Sequence, residues 1–193
     1  MKHAGFVPSI KSHMLLLAAY GKSGNVKEAE NLILQMETYG LYPDIFILNG
    51  LLNAYGHSGN YTQMEELYRS MEGGICQVDM ATYNIIINSY SKGGYLNKVE
   101  SSFLRMVDRG FKPNVWTWTS RIGAFARKRQ FQKCIGLYKE MLESGVIPDV
   151  VVDQVLLSSF SDLEDAEEVI KELDNLYMDG YVPLSLEIGE VEN

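Results

Sequence analysis

Apolar residues along this chain recur at the spacing of one helical face, stop, and then recur again. Between Ile45 and Asp79, the residues Ile47, Leu48, Leu51, Leu52 and Tyr55 fall on one side of a helix. Gly56-His57-Ser58-Gly59 interrupts the pattern. A second amphipathic stretch runs from Tyr61 to Met71 through Met64, Leu67 and Tyr68. Gly73-Gly74 closes it, as glycine beyond a helix end allows. The pattern predicts two helices joined by a short turn.

The same pattern returns every 35 residues. The five prolines, Pro8, Pro43, Pro113, Pro148 and Pro183, lie on one lattice of that spacing, and Val78 fills the vacant point. Tyr20, Tyr55, Tyr90, Phe125 and Phe160 form an aromatic column. Met1, Met36, Met71, Met106, Met141 and Leu176 form a flexible apolar one. Gly5, Gly40, Gly110, Gly145 and Gly180 form a third, with Ile75 as its exception. A fixed period of this length marks an array of supersecondary units, each unable to bury its apolar face alone. The expected fold is all-α, an α-solenoid of about five stacked antiparallel helix pairs. The units are 10–44, 45–79, 80–114, 115–149 and 150–184 of one solenoid domain spanning 1–184. Residues 1–9 read as the tail of a preceding unit and 185–193 as an acidic frayed tail. Ser9, Asp44, Asp79, Asn114 and Asp149 each precede a helix and are good N-caps.

Composition changes this picture only through charge. The net charge is −8, but it is unevenly placed. Residues 1–91 carry −3, residues 92–139 carry +9, and residues 140–193 carry −14. A basic middle is followed by an acidic end, which suits a basic protein partner. No run of 18 apolar residues occurs, so no membrane span is expected. The two cysteines, Cys76 and Cys134, are too few for a disulfide framework and read as reduced core thiols.

Catalytic chemistry finds little support. His3, His13 and His57 have neither HxE nor HxxxH spacing, and no PCxxC follows. Glu164-Asp165-Ala166-Glu167-Glu168 reads as a solvated helix face. No enzyme activity and no cofactor are expected.

The run from Met80-Ala-Thr-Tyr-Asn84 through Met106-Val-Asp-Arg-Gly-Phe-Lys-Pro-Asn114, and the run from Asp44 to Gly56, resemble the pentatricopeptide repeat (PPR). The tetratricopeptide repeat, with its period of 34 and its Trp-x-x-Leu-Gly-x-x-Tyr opening, fits less well. The resemblance implies a right-handed solenoid that binds single-stranded RNA, two or three side chains of each repeat reading one base. It also implies a plant organelle, chloroplast or mitochondrion, as the place of action, in RNA splicing, stability, translation or editing.

In that family the fifth and last residues of a unit read the base. The resemblance thus assigns Asn49 with Asp79 to uracil, Asn84 with Asn114 to cytosine, and Thr119 with Asp149 to guanine. Met14 with Asp44 and Gln154 with Leu184 depart from useful pairs. The second residue of a unit sandwiches the bases in the family. Here it is Lys11, Phe46, Ala81, Trp116 or Val151, of which Phe46, Trp116 and Val151 are the stacking candidates. Lys22, Lys92 and Arg127 fall where the family contacts phosphate, with His57 in the same column when protonated and Asp162 as a departure. Arg127-Lys128-Arg129 adds three adjacent cations. Each assignment has a plainer counterpart. The last residues are helix caps without any RNA, Phe46 and Trp116 are core packing, and the cations favour helix C-terminal ends. Trp118 and Tyr83 read as core. A protein-interaction scaffold in an RNA-processing complex is the alternative to an RNA-binding one, and a homo-oligomer is compatible with either.

Overall fold

The computed structural model describes residues 10–159, and all regular structure among them is helical. The helices are α1 (Ile10–Ser23), α2 (Val26–Thr38), α3 (Ile45–Ser58), α4 (Tyr61–Ser70), α5 (Met80–Gly93), α6 (Leu96–Asp108), α7 (Val115–Ala126), α8 (Phe131–Glu143) and α9 (Val150–Ser159). In the first unit α1 packs with α2 and α3 with α4 as hairpins, and in the second α7 packs with α8. The chain divides into two compact units, one ending at Gly93 and the other beginning at Gly94. The tail residues 1–9, the acidic stretch at 164–168 and the rest of the last repeat lie outside the described residues.

Helix ends follow from single residues. The short turns after α1, α3 and α5 need a left-handed backbone, supplied by Gly24, Gly59 and Gly94 at φ 66°, 76° and 75°. Arg129 holds the same column at φ 54° and is the non-glycine residue with positive φ among those described. The turn between hairpins uses Gly40, Gly110 and Gly145. Ile75 cannot take that role cheaply. There the left-handed backbone moves to Gly74, at φ 119°, within the turn Met71–Ile75 that follows α4.

In the first unit the opening helices of successive hairpins pack side by side, α1 on α3 and α3 on α5. Small residues permit the close approach. A Cβ on Gly56 would run into Ser89 Oγ, and one on Gly50 into Leu17 Cδ2. Met36 and Met71, like Met106 and Met141 of the second unit, are fully buried. Thioether chains fill such irregular gaps with little strain.

A second column ties hairpins together. Glu30 accepts a hydrogen bond from Tyr55 Oη at 2.8 Å, and Glu65 from Tyr90 Oη at 2.8 Å. The next acid in the column is Glu100, where the aromatic column has Phe125, which carries no hydroxyl. In the second unit Arg121, four residues earlier on α7, takes its place. Its Nε and Nη2 donate to the two oxygens of Glu100 at 2.7 Å each, and Nη1 donates to Glu140 at 3.0 Å. Its guanidinium lies 4.0 Å from the Phe103 ring centroid and 5.3 Å from that of Trp118. Burial pushes the Arg121 pKa down, but the bonds and charges of Glu100 and Glu140 outweigh it and hold the net shift upward.

One sequence expectation needs correction. Cys134 is a core thiol, with its pKa pushed up to about 11 by burial. Cys76 is only half-buried, because it follows the Met71–Ile75 turn and lies outside the packed helices.

Candidate nucleic-acid interface

Among the described residues, the last residue of a repeat caps the first helix of the next. Asp44 Oδ1 accepts from Ile47 N at 3.0 Å, and Asp79 Oδ1 from Thr82 N at 2.8 Å. Asn114 Oδ1 accepts from Thr117 N at 3.0 Å, and Asp149 Oδ1 from the Val151 and Val152 amides at 3.1 Å each. These four side chains are therefore helix caps, as their residue types predict. Capping uses one terminal atom of each and leaves the other. On Asp79 that atom is a carboxylate oxygen, an acceptor. On Asn114 it is the amide nitrogen, a donor. Repeats ending in Asp and in Asn therefore offer opposite hydrogen-bonding character from one backbone position.

Of the expected reading pairs, the structure brings Asn49 and Asp79 together. Asn49 Nδ2 lies 3.4 Å from Asp79 Oδ1, and Thr82 Oγ1 donates to Asn49 Oδ1 at 2.8 Å. Asparagine is a poor helix-interior residue, and this network is a structural reason for its presence. Asn49 is 7% exposed and Asn84 9% exposed, so each can offer only an edge of its amide. Asn84 and Asn114 fall in different compact units and stand as separate observations. Thr119 donates its hydroxyl proton to Val115 O within its own helix at 2.8 Å. It does not link to Asp149 as Asn49 links to Asp79. Gln154 is exposed and Met14 half-buried, while Leu184 lies outside the described residues.

The second-residue column faces solvent. Lys11 and Ala81 are exposed, and Phe46 is 66%, Trp116 60% and Val151 52% exposed. Core packing is thus excluded for Phe46 and Trp116. Phe46 precedes Asn49 by three residues, and Trp116 precedes Thr119 by three. That spacing puts a projecting aromatic ring one helical turn from a recessed polar group. Tyr83 and Trp118 are buried, as expected.

The cationic column sits at the other end of the same helices. Lys22, His57 and Lys92 occupy the last turns of α1, α3 and α5, and Arg127 follows the end of α7. All four are exposed. Eight residues separate Asn49 from His57, about 12 Å along a helix axis. In the first unit Lys92 Nζ lies 3.4 Å from His57 Nε2. With the lysine donating, Nε2 accepts and Nδ1 donates to Asn53 O at 3.0 Å. Partial burial holds the Arg127 pKa below the usual arginine value. Arg129 lies 5.8 Å from the Phe131 ring centroid. Asp162, the expected departure in this column, lies outside the described residues.

Sequence reasoning missed Thr82, Arg121 and the Glu30–Glu65–Glu100 column. Thr82 and Thr117 stand one period apart, as do the three glutamates. The periodicity exposed them as columns without revealing their partners. Among the described residues there is no group of three or more potential metal ligands, and no helix is long and apolar enough to cross a membrane.

Family profiles and solved structures return matches to this chain. The profile of the PPR repeat family matches residues 43–92, 78–127 and 113–162, and that of the PPR repeat matches residues 12–41. Curated proteins return no match. Among solved structures, the chain is similar to the pentatricopeptide repeat protein PPR10 in complex with an 18-nt psaJ RNA element. That similarity has TM-score 0.82 and 21% identity, over 94% of this chain and 27% of that one. It is similar to PPR10 from maize at TM-score 0.71 and 22% identity, over 96% of this chain and 31% of that one. It is also similar to the PPR domain of Arabidopsis thaliana protein-only RNase P 1, in complex with tRNA. Here the TM-score is 0.65 and the identity 20%, over 89% of this chain and 90% of that one. The chain thus spans about a quarter of the PPR10 length. Its helix pairs have the α-solenoid fold of those proteins, and with family profiles matching most of its length, the chain belongs to the pentatricopeptide repeat family.

Proposed function

We propose that this chain binds single-stranded RNA, one base per reading repeat, and acts by binding, without catalysis of its own. The observation that carries the reading is the Asn49–Asp79 contact beside the exposed Phe46. It sets a polar pair of defined donor and acceptor character one turn from a stacking ring. Two solved relatives described as RNA complexes, with an 18-nt psaJ element and with tRNA, support the same reading. The unit 45–79 would take uracil, whose N3–H suits the free Asp79 oxygen. The unit 80–114 would take cytosine, whose unprotonated N3 suits the Asn114 amide. The unit 115–149 would take guanine, with Trp116 stacking. Lys22, Lys92 and Arg127 would meet phosphates at the other helix ends. Family membership favours a plant chloroplast or mitochondrion and a role in RNA processing.

Three reading units specify about three bases, which gives micromolar affinity or weaker for this stretch alone. Fluorescence anisotropy with a ten-nucleotide RNA carrying a uracil–pyrimidine–guanine step tests the proposal. A scrambled RNA and a salt titration are the controls. Preference for the expected step, lost in Asn49→Ala and Asn84→Ala, supports it. Absence of binding even at low salt rejects it. The −14 charge of residues 140–193 favours a second reading, a scaffold for a basic protein, and that result would leave it standing.

A further inference from the structure

We propose that Thr82, the third residue of the following repeat, is a positioning residue for base selection by Asn49. The inference rests on the RNA-binding reading above and deepens it. A primary amide can turn over about its long axis, exchanging a donor for an acceptor at the same place. An asparagine read by a base is selective only when something holds its orientation.

Two contacts hold Asn49. Its Nδ2 faces Asp79 Oδ1 at 3.4 Å, and its Oδ1 faces Thr82 Oγ1 at 2.8 Å. Thr82 Oγ1 also lies 2.9 Å from Asp79 Oδ1, yet a hydroxyl has one proton to give. Turning the amide over would set Asn49 Oδ1 against the Asp79 carboxylate, acceptor against acceptor. With Nδ2 held toward Asp79, Oδ1 must face Thr82. The Thr82 proton then goes to Asn49, while Asp79 Oδ1 keeps the Thr82 amide at 2.8 Å. In this arrangement the Asn49 carbonyl is turned toward the buried Thr82 hydroxyl, and one N–H remains to point outward. That donor suits the O4 carbonyl of uracil and opposes the N4 amino group of cytosine. Thr82 is fully buried, so it acts through Asn49 and does not touch the base.

Thr117 supplies the control. It makes the corresponding contacts to Asn114 at the start of α7, with Oγ1 2.9 Å from Asn114 Oδ1. The test measures the affinity ratio of the full chain for two ten-nucleotide RNAs, uracil against cytosine at the base facing unit 45–79. Thr82→Val keeps the side-chain volume and removes the hydroxyl, and Thr82→Ser restores it. Thr82→Ala stands in if the valine variant does not fold. The proposal expects a loss of the uracil preference of about ten-fold in Thr82→Val. It expects an unchanged salt slope and a preserved ratio in Thr82→Ser and Thr117→Val. A Thr82→Val protein that keeps the preference overturns this role for Thr82 and leaves RNA reading intact. A parent chain that binds RNA with no preference overturns both.

Discussion

The Arg121 cluster allows a prediction with a definite sign and size. Arg121 is 5% exposed, and its charge is met by the two oxygens of Glu100 at 2.7 Å each and by Glu140 at 3.0 Å. Glu100→Ala removes two charge-assisted bonds and leaves a buried guanidinium with one partner. Removing one member of a buried pair costs about 3–5 kcal/mol, and the surviving Glu140 contact places this case near 3 kcal/mol. Arg121→Met removes the buried charge itself. The side chains of Glu100 and Glu140 are 28% and 47% exposed, so water can take over their solvation. What remains lost is the stacking on Phe103 and part of the packing, about 1 kcal/mol. Glu100→Ala should therefore cost more than Arg121→Met. The double variant should resemble Arg121→Met alone, well short of additivity. Trp118, whose ring centroid lies 5.2 Å from that of Phe103, reports on this region directly. Urea unfolding followed by its fluorescence, in a Trp116→Phe background, measures all four proteins on one probe. Equal costs for the two single changes, or strict additivity, would refute the account.

Three other outcomes follow from the same geometry. Gly56→Ala sets a methyl group against Ser89 Oγ between α3 and α5 and should cost about 1–3 kcal/mol, read as a fall in thermal midpoint. Trp116→Ala should weaken RNA binding by roughly ten-fold with little effect on thermal stability, since the ring is 60% exposed; a matching loss of stability would return Trp116 to a packing role. Burial holds the Cys134 pKa up to about 11 from an ordinary value of 9.0. The folded chain keeps a proton that the unfolded one releases, so this contribution is full below pH 9 and is lost as pH rises toward 11. Chemical denaturation across that range should show the decline, and Cys134 should resist a thiol reagent at pH 8 until the chain unfolds.

The exceptions in the repeat show how far the sequence could be read. Ile75 was visible as the one break in its glycine column, but the turn that moves the left-handed backbone to Gly74 was not. Phe125 was visible as a member of the aromatic column. That it lacks a hydroxyl mattered only once Glu100 was found beside Arg121. Phe46 and Trp116 could be assigned either to stacking or to core from spacing alone, because both lie on an apolar helix where either fate is open. Their exposure excludes the core and leaves stacking as the proposal to be tested.

The sequence by itself determined the period, the helix pairs, their caps and their turns. Each of these depends on residues within a few positions of one another, through backbone hydrogen bonds, glycine φ and apolar spacing. The tertiary structure decided which column meets which. Tyr55 reaches Glu30, Lys92 reaches His57, and Thr82 holds Asn49 against Asp79. These contacts join residues 25 to 35 positions apart. Their existence depends on how far one helix is displaced along its neighbour, and a period records the repeat of a unit without recording that displacement.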